Sequence, residues 1–161
     1  MFNLKAEFYL KIIFLFSFIA LISAFFIEYI LGHQPCNLCL IERIPYGLSI
    51  MIIMVIFLIK KNQKFLVMLL ILTFIFSFTI SFYHFGIEQG FFQESSVCGV
   101  KSLTEIVTKE DLLKQLSEKT TSCKDVTFRI FGLSLTSINI VFSLLFIITL
   151  FKIFKKYEKN K

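Results

Sequence analysis

Four cysteines are the residues of this 161-residue chain whose spacing points to redox chemistry. Cys36 and Cys39 form a C-x-x-C pair, the spacing that dithiol redox sites use. A bond between them would stabilise little structure, because loop-closure entropy grows with the number of residues enclosed. Cys98 and Cys123 are 25 residues apart and could close a larger loop.

Four cysteines allow three pairings, and redox exchange is favoured over two structural disulfides. A Cys₄ zinc site is disfavoured because the sequence has only one C-x-x-C pair.

Two charged residues, Glu42 and Arg43, follow this pair at the start of a long apolar run. Ionisable residues at membrane depth are costly and usually functional. Arg43 comes four residues after Cys39, so the two share a helix face, and the positive charge would favour a Cys39 thiolate. The guanidinium could also hydrogen-bond the carbonyl of a quinone, a lipid-soluble electron acceptor. Alternatively, Arg43 reaches lipid phosphates and pairs with Glu42 at the surface.

His84 is the third candidate for contact with a quinone, since it follows an apolar stretch directly. It could donate to the other side of the quinone head group or carry a proton, although a lone interfacial histidine is more often a satisfied surface residue. Asn139 lies inside the last apolar stretch, where we expect it to hydrogen-bond between helices.

Membrane-spanning helices must position these residues. The chain is 57% hydrophobic and contains 22 phenylalanines, which excludes a disordered protein. Its four apolar stretches each reach the roughly 20 residues that a spanning helix needs, and continuous runs favour helices over barrel strands. We predict an all-α membrane protein, a single domain over residues 1–161 with four transmembrane helices. Their predicted bounds are residues 12–31, 39–59, 65–85 and 130–151.

The distribution of positive charge predicts how the bundle is oriented. Ten lysines lie at the two ends of the chain and in the short connection after the second apolar stretch. They are Lys5, Lys11, Lys60, Lys61, Lys64, Lys152, Lys155, Lys156, Lys159 and Lys161. The positive-inside rule therefore places both termini in the cytoplasm. The predicted loops at residues 32–38 and 86–129 then face the periplasm of a bacterial inner membrane. All four cysteines fall at this oxidising side, where disulfides persist.

The second periplasmic loop is predicted to contain a short amphipathic helix. Ser102 and Glu105 have the spacing of a capping box. Apolar residues then recur at helical spacing, at Leu103, Ile106, Val107, Leu113 and Leu116. Such a helix would lie on the outer membrane surface between Cys98 and Cys123.

Several sequence motifs occur in a recognisable order. Residues 35–43 read P-C-N-L-C-L-I-E-R and residues 83–90 read Y-H-F-G-I-E-Q-G. Cys98 follows, and then Cys123 ahead of F-G-L at residues 131–133. In order and spacing, nearly the whole chain resembles the disulfide bond formation protein B (DsbB) family, the four-helix inner-membrane thiol:quinone oxidoreductases of bacteria.

The resemblance implies a route for electrons. Cys98 and Cys123 would form a loop disulfide that oxidises a soluble periplasmic partner of the DsbA kind, with Cys98 in the mixed disulfide. Cys123 would then exchange with Cys36. Cys39 would pass electrons to a bound ubiquinone or menaquinone that Arg43 contacts.

Three residues make up the cofactor-binding set that we predict, namely Arg43, Glu42 and His84. His84 matches a quinone-side histidine of some family members. Those members carry a glutamine one turn later, where this chain has Glu88. Alternatives are a specialised paralogue with a dedicated thiol partner, a vitamin K epoxide reductase-like enzyme, and a structural membrane subunit whose disulfides brace the outer loop.

Overall fold

A computed structural model describes the chain at residues 4–59, 62–94, 98, 122–124, 129–130 and 133–159. Four long helices follow one another, and each contains an apolar stretch long enough to cross a membrane. They are α1 (Leu4–Tyr29), α2 (Asn37–Leu58), α3 (Gln63–Glu88) and α4 (Leu135–Lys159). The predicted all-α bundle of four spanning helices is confirmed. Two short antiparallel strands, β1 (Arg129–Ile130) and β2 (Leu133–Ser134), precede α4.

The first and last helices begin elsewhere than predicted. α1 begins at Leu4 instead of residue 12, because helical hydrogen bonding continues past the apolar stretch. There Lys11 and Glu7 form an ion pair of 2.9 Å across one turn. α4 begins at Leu135 instead of residue 130, because the Ser134 hydroxyl accepts a hydrogen bond from the Ser137 amide at 3.2 Å and so caps the helix.

The third helix runs to Glu88, one turn beyond the predicted end. Gly90 then turns the chain with a φ of 78°, a conformation that glycine adopts without strain. The Phe91 amide donates to the Gly86 carbonyl at 2.8 Å, as in a Schellman cap. A Cβ atom on Gly86 would lie 2.1 Å from the Phe92 ring, so the chain after α3 folds closely over this glycine.

The buried residues form two clusters. The larger one fills the bundle with apolar side chains from all four helices, among them Leu10, Ile13, Ile53, Phe74 and Leu150. The smaller one lies where α2 begins and α3 ends, and it contains Cys36, Leu38, Ile87, Cys98 and Cys123. The cysteines are therefore packed together at one end of the bundle.

Hydrogen bonds between polar side chains also join the helices. Ser49 of α2 donates to Ser17 of α1 at 3.0 Å, and the hydroxyl oxygens of Ser143 in α4 and Ser77 in α3 are hydrogen-bonded at 3.2 Å. Asn139 bonds to neighbouring helices, as its position in the sequence predicts. The amphipathic helix predicted around residues 102–118 lies outside the described residues.

Candidate redox site

Cys36 caps the N-terminus of α2. Its sulfur accepts a hydrogen bond from the Cys39 amide at 3.2 Å, which satisfies one of the free donors of the first helical turn. The Cys39 thiol donates to the same sulfur and lowers the pKa of Cys36 to about 4, against the opposing effect of burial and with a further contribution from His84. Of the two thiols of the reduced pair, Cys36 is therefore the one whose ionised form is favoured.

This arrangement differs from the sequence prediction, which placed the favoured thiolate at Cys39. The free amides of a helix N-terminus converge on the residue that precedes the helix, and that residue is Cys36. The guanidinium of Arg43, expected to act on Cys39, is bound by Glu28 of α1 instead.

The Cys98 and Cys123 thiols are buried beside Cys36. Cys123 interacts with both Cys98 and Cys36, and burial together with these contacts raises the pKa of Cys123. All four cysteines lie within the described residues, and all are free thiols. The structure thus brings together the four cysteines that the sequence selected from separate parts of the chain.

His84 connects the dithiol pair to Glu42. Its Nδ1 atom lies 2.9 Å from Glu42 Oε1, and its Nε2 atom lies 3.6 Å from Cys36 Sγ. The imidazole is almost fully buried, with 3% of its side chain exposed. Glu42 accepts the Nδ1 proton, so the other nitrogen is directed to the sulfur, where it can accept or return a proton. His84 is therefore part of the site and is not a surface histidine.

Arg43 pairs with Glu28 at the end of α1 and lies over the Phe25 ring, 5.3 Å from its centroid. Both members of the ion pair are largely shielded, with 17% and 22% of their side chains exposed. Glu42 points into the bundle, so the alternative of a surface pair between Arg43 and Glu42 is wrong.

A cavity of about 370 Å³ opens beside the cysteines. Cys36, Cys39 and Cys123 line it, as do Arg43 and His84. Most of the remaining wall is apolar and comes from α1 and α4. Pockets of a few hundred Å³ with apolar walls and a few polar groups are typical of sites for small organic molecules. The volume and the donor groups fit a quinone head group.

Three polar residues of the site were given little or no weight by the sequence reasoning. Glu28 is the only acidic residue in the first apolar stretch, a signal that could have identified it as the partner of Arg43. Thr136 of α4 lies 3.3 Å from His84 Nδ1 and donates to Glu88 Oε1 at 2.7 Å. Glu88 Oε2 is the one buried side-chain oxygen or nitrogen, among the described residues, without a hydrogen-bond partner. Nothing in the spacing along the chain marks Thr136.

Comparisons with known proteins agree with this geometry. A family model described as "Disulfide bond formation protein DsbB" matches residues 6–153. The chain is also similar to "Uncharacterized protein RP370" of Rickettsia prowazekii (strain Madrid E), with 32% identity over 147 residues that cover 90% of this chain and 86% of that protein. No solved structure matches the chain. From the matched residues, the order of the motifs and the clustered cysteines, we conclude that the chain belongs to the DsbB family of disulfide bond formation proteins.

Proposed function

We propose that this protein is a thiol:quinone oxidoreductase of the bacterial inner membrane. It reoxidises a periplasmic DsbA-like dithiol oxidase and delivers the electrons to ubiquinone or menaquinone. In this proposal the cysteine end of the bundle faces the periplasm and both termini face the cytoplasm. The observation that carries it is the position of Cys123, which is buried in one cluster with Cys98 and Cys36 and lines the same cavity as Arg43.

The first exchange takes place at the Cys98–Cys123 disulfide. A thiolate of the partner attacks Cys98, the bond between Cys98 and Cys123 breaks, and Cys123 leaves as a thiolate. The second thiol of the partner then attacks the partner sulfur that is bonded to Cys98, and Cys98 is released as a thiolate. The partner is thereby oxidised, and Cys98 and Cys123 hold its two electrons as free thiols.

The second exchange moves these electrons to the helix-mouth pair. Cys123 attacks Cys36 of a Cys36–Cys39 disulfide, and Cys39 leaves as a thiolate. Cys98 then attacks Cys123, which restores the loop disulfide and releases Cys36. A leaving thiol of low pKa departs faster, and the pKa of about 4 at Cys36 favours this release.

The acceptor site is the cavity that Cys39 shares with Arg43 and His84. A quinone bound there would supply an acceptor for two electrons and two protons when the Cys36–Cys39 bond is remade. Arg43 would hydrogen-bond one carbonyl oxygen and stabilise the negative charge that develops there. His84 would return the proton that it holds for Cys36, while Glu42 keeps the ring in place.

Energetics also favour a quinone as the final acceptor. A DsbA-like oxidase has a reduction potential of about −120 mV, so its reoxidation requires a strong and continuously renewed electron acceptor. Two cysteine pairs can pass electrons on but cannot supply such an acceptor. Contact between the second pair and a membrane-soluble acceptor meets this requirement.

Turnover with purified components tests the proposal. The protein in detergent is mixed with a reduced DsbA-like partner and a water-soluble quinone, and the loss of quinone absorbance is followed. We expect one quinone consumed for each partner disulfide formed, and no consumption by Cys39→Ser. Quinone loss that continues when both Cys36 and Cys39 are serine would contradict the proposal.

A further inference from the structure

Asn139 makes a complete set of hydrogen bonds beside the redox site. Its Nδ2 group donates to Glu42 Oε2 at 3.0 Å and to Ser81 Oγ at 2.7 Å. Its Oδ1 atom accepts from the Tyr46 hydroxyl and from Ser143 Oγ, the latter at 3.3 Å. Both amide protons and both acceptor positions are used, so the orientation of the amide is fixed.

This amide continues a chain of contacts that ends at a reactive sulfur. Asn139 of α4 holds one oxygen of Glu42, and the other oxygen of Glu42 lies 2.9 Å from His84 Nδ1. The opposite ring nitrogen of His84 lies 3.6 Å from Cys36 Sγ. Three helices therefore contribute in turn to the placement of one imidazole.

We propose that Asn139 is a positioning residue of the dithiol site. It anchors the Glu42 carboxylate, and Glu42 in turn fixes the tautomer of the His84 ring and directs the ring toward Cys36. The inference rests on the proposed function, because it assigns Asn139 a role in the chemistry of Cys36.

The chemistry of the amide explains why other side chains would not serve. Aspartate at this position would place a second carboxyl group against Glu42 and would lose both donors. Leucine has a similar volume but would leave Glu42 Oε2 and the Tyr46 hydroxyl without their partner in a buried place. Either change frees the carboxylate to rotate away from His84.

Other titratable or charged groups also face this network, and they must be counted in any pH dependence. Glu88 Oε1 of α3 lies 3.9 Å from His84 Nε2. Other titratable or charged groups line the same cavity or pair there with Arg43; they are Glu28, His33, Cys39, Arg43, Tyr46 and Cys123. Among these groups, Tyr46 bonds to Asn139 directly, and Asn139→Asp keeps an acceptor for its hydroxyl.

The test is the pH dependence of Cys36 alkylation in the reduced, full-length protein. Short pulses of iodoacetamide are given at a series of pH values, and modified Cys36 is quantified by peptide mass spectrometry. We expect Asn139→Leu to raise the midpoint by at least about one pH unit, which is about a tenfold loss of thiolate on the acid side. Asn139→Asp, which keeps an acceptor for Tyr46, should shift it in the same direction.

Two controls separate positioning from general loss of structure. Ser17→Ala removes another buried hydrogen bond between helices, to Ser49 about two turns along α2 from Glu42, and should leave the midpoint unchanged. In a Glu42→Gln background, Asn139→Leu should cause no further shift, because the link that it acts through is already broken.

An unchanged midpoint in both Asn139 variants, with thermal unfolding showing that they fold, would overturn the inference. So would equal shifts in Asn139→Leu and Ser17→Ala. Because alkylation needs neither partner nor quinone, a failure of the proposed turnover and a failure of this inference give different results.

Discussion

Arg43 on α2 is paired with Glu28 on α1, while its neighbour in sequence, Glu42, turns the other way to meet His84. Adjacent charged residues on α2 therefore serve two different sides of the site. Arg43 lines the cavity with its charge partly balanced, and Glu42 orders the groups around Cys36.

Replacement of Arg43 by glutamine should weaken the use of quinone. Loss of a charged hydrogen bond costs about 1.5–3 kcal/mol, so we expect the KM for quinone to rise by about tenfold or more. Steady-state turnover at varied quinone concentration measures this, with the partner held saturating.

Two further variants make this result specific. Lys64→Gln removes a cation that lies 5.2 Å from the Phe154 ring centroid at the other end of the bundle, and it should leave the KM unchanged. Arg43→Gln combined with Glu28→Gln leaves no unpaired carboxylate, so a KM that returned to normal in this double variant would show that Arg43 does not bind quinone.

Replacement of His84 by leucine should make the Cys36–Cys39 pair a weaker oxidant. Without the histidine beside the sulfur, the pKa of Cys36 rises and the reduced form loses stabilisation. One pKa unit corresponds to about 30 mV for this two-electron couple, so the potential should become more negative by about that amount per unit. Equilibration with glutathione buffers measures the shift. Thr73→Val, at a buried hydroxyl on the same helix, should have no such effect.

The reduced protein should gain stability as the pH rises. The pKa of Cys36 is lowered from 9.0 to about 4 in the folded chain, whereas the unfolded thiol keeps its ordinary value. The stabilisation is therefore complete above about pH 9 and disappears as the pH falls toward about 4. Under reducing conditions, the Tm should increase between about pH 5 and pH 8 by more in the wild type than in Cys36→Ser. Equal increases in the two proteins would show that Cys36 is not held as a thiolate.

The sequence was informative about residue types and helices, and less so about partners. Four apolar stretches specify four spanning helices, and C-x-x-C followed by Glu42 and Arg43 specifies a site at the mouth of α2. Spacing along one helix could not reveal that Arg43 meets Glu28 or that Glu42 meets Asn139, because these pairs depend on how separate helices are rotated against one another. Whether Cys36 or Cys39 is the favoured thiolate depends on which residue caps α2. Apolar runs define that helix boundary only to within a few residues.

Cys123→Ala should accumulate a mixed disulfide between Cys98 and the thiol partner. Without Cys123 the loop disulfide cannot form, so the Cys98 thiolate instead attacks the disulfide of an oxidised partner and releases the partner's second thiol. No neighbouring thiol of this chain can then attack Cys98 to displace the partner. Non-reducing electrophoresis of cells, followed by mass spectrometry of the retained band, identifies the partner. The band should disappear when Cys98 is also replaced by alanine, and a band that persists in the double variant would assign the contact to another cysteine.

The central claim is that electrons cross between the two cysteine pairs through Cys123 and Cys36. The most direct measurement is disulfide mapping of the oxidised Cys39→Ser protein, in which Cys36 has lost its usual partner. The account predicts a Cys36–Cys123 bond as the main product, because these two sulfurs already interact. A protein in which Cys36 stays free while Cys98 and Cys123 remain bonded to each other under every oxidising condition would contradict it.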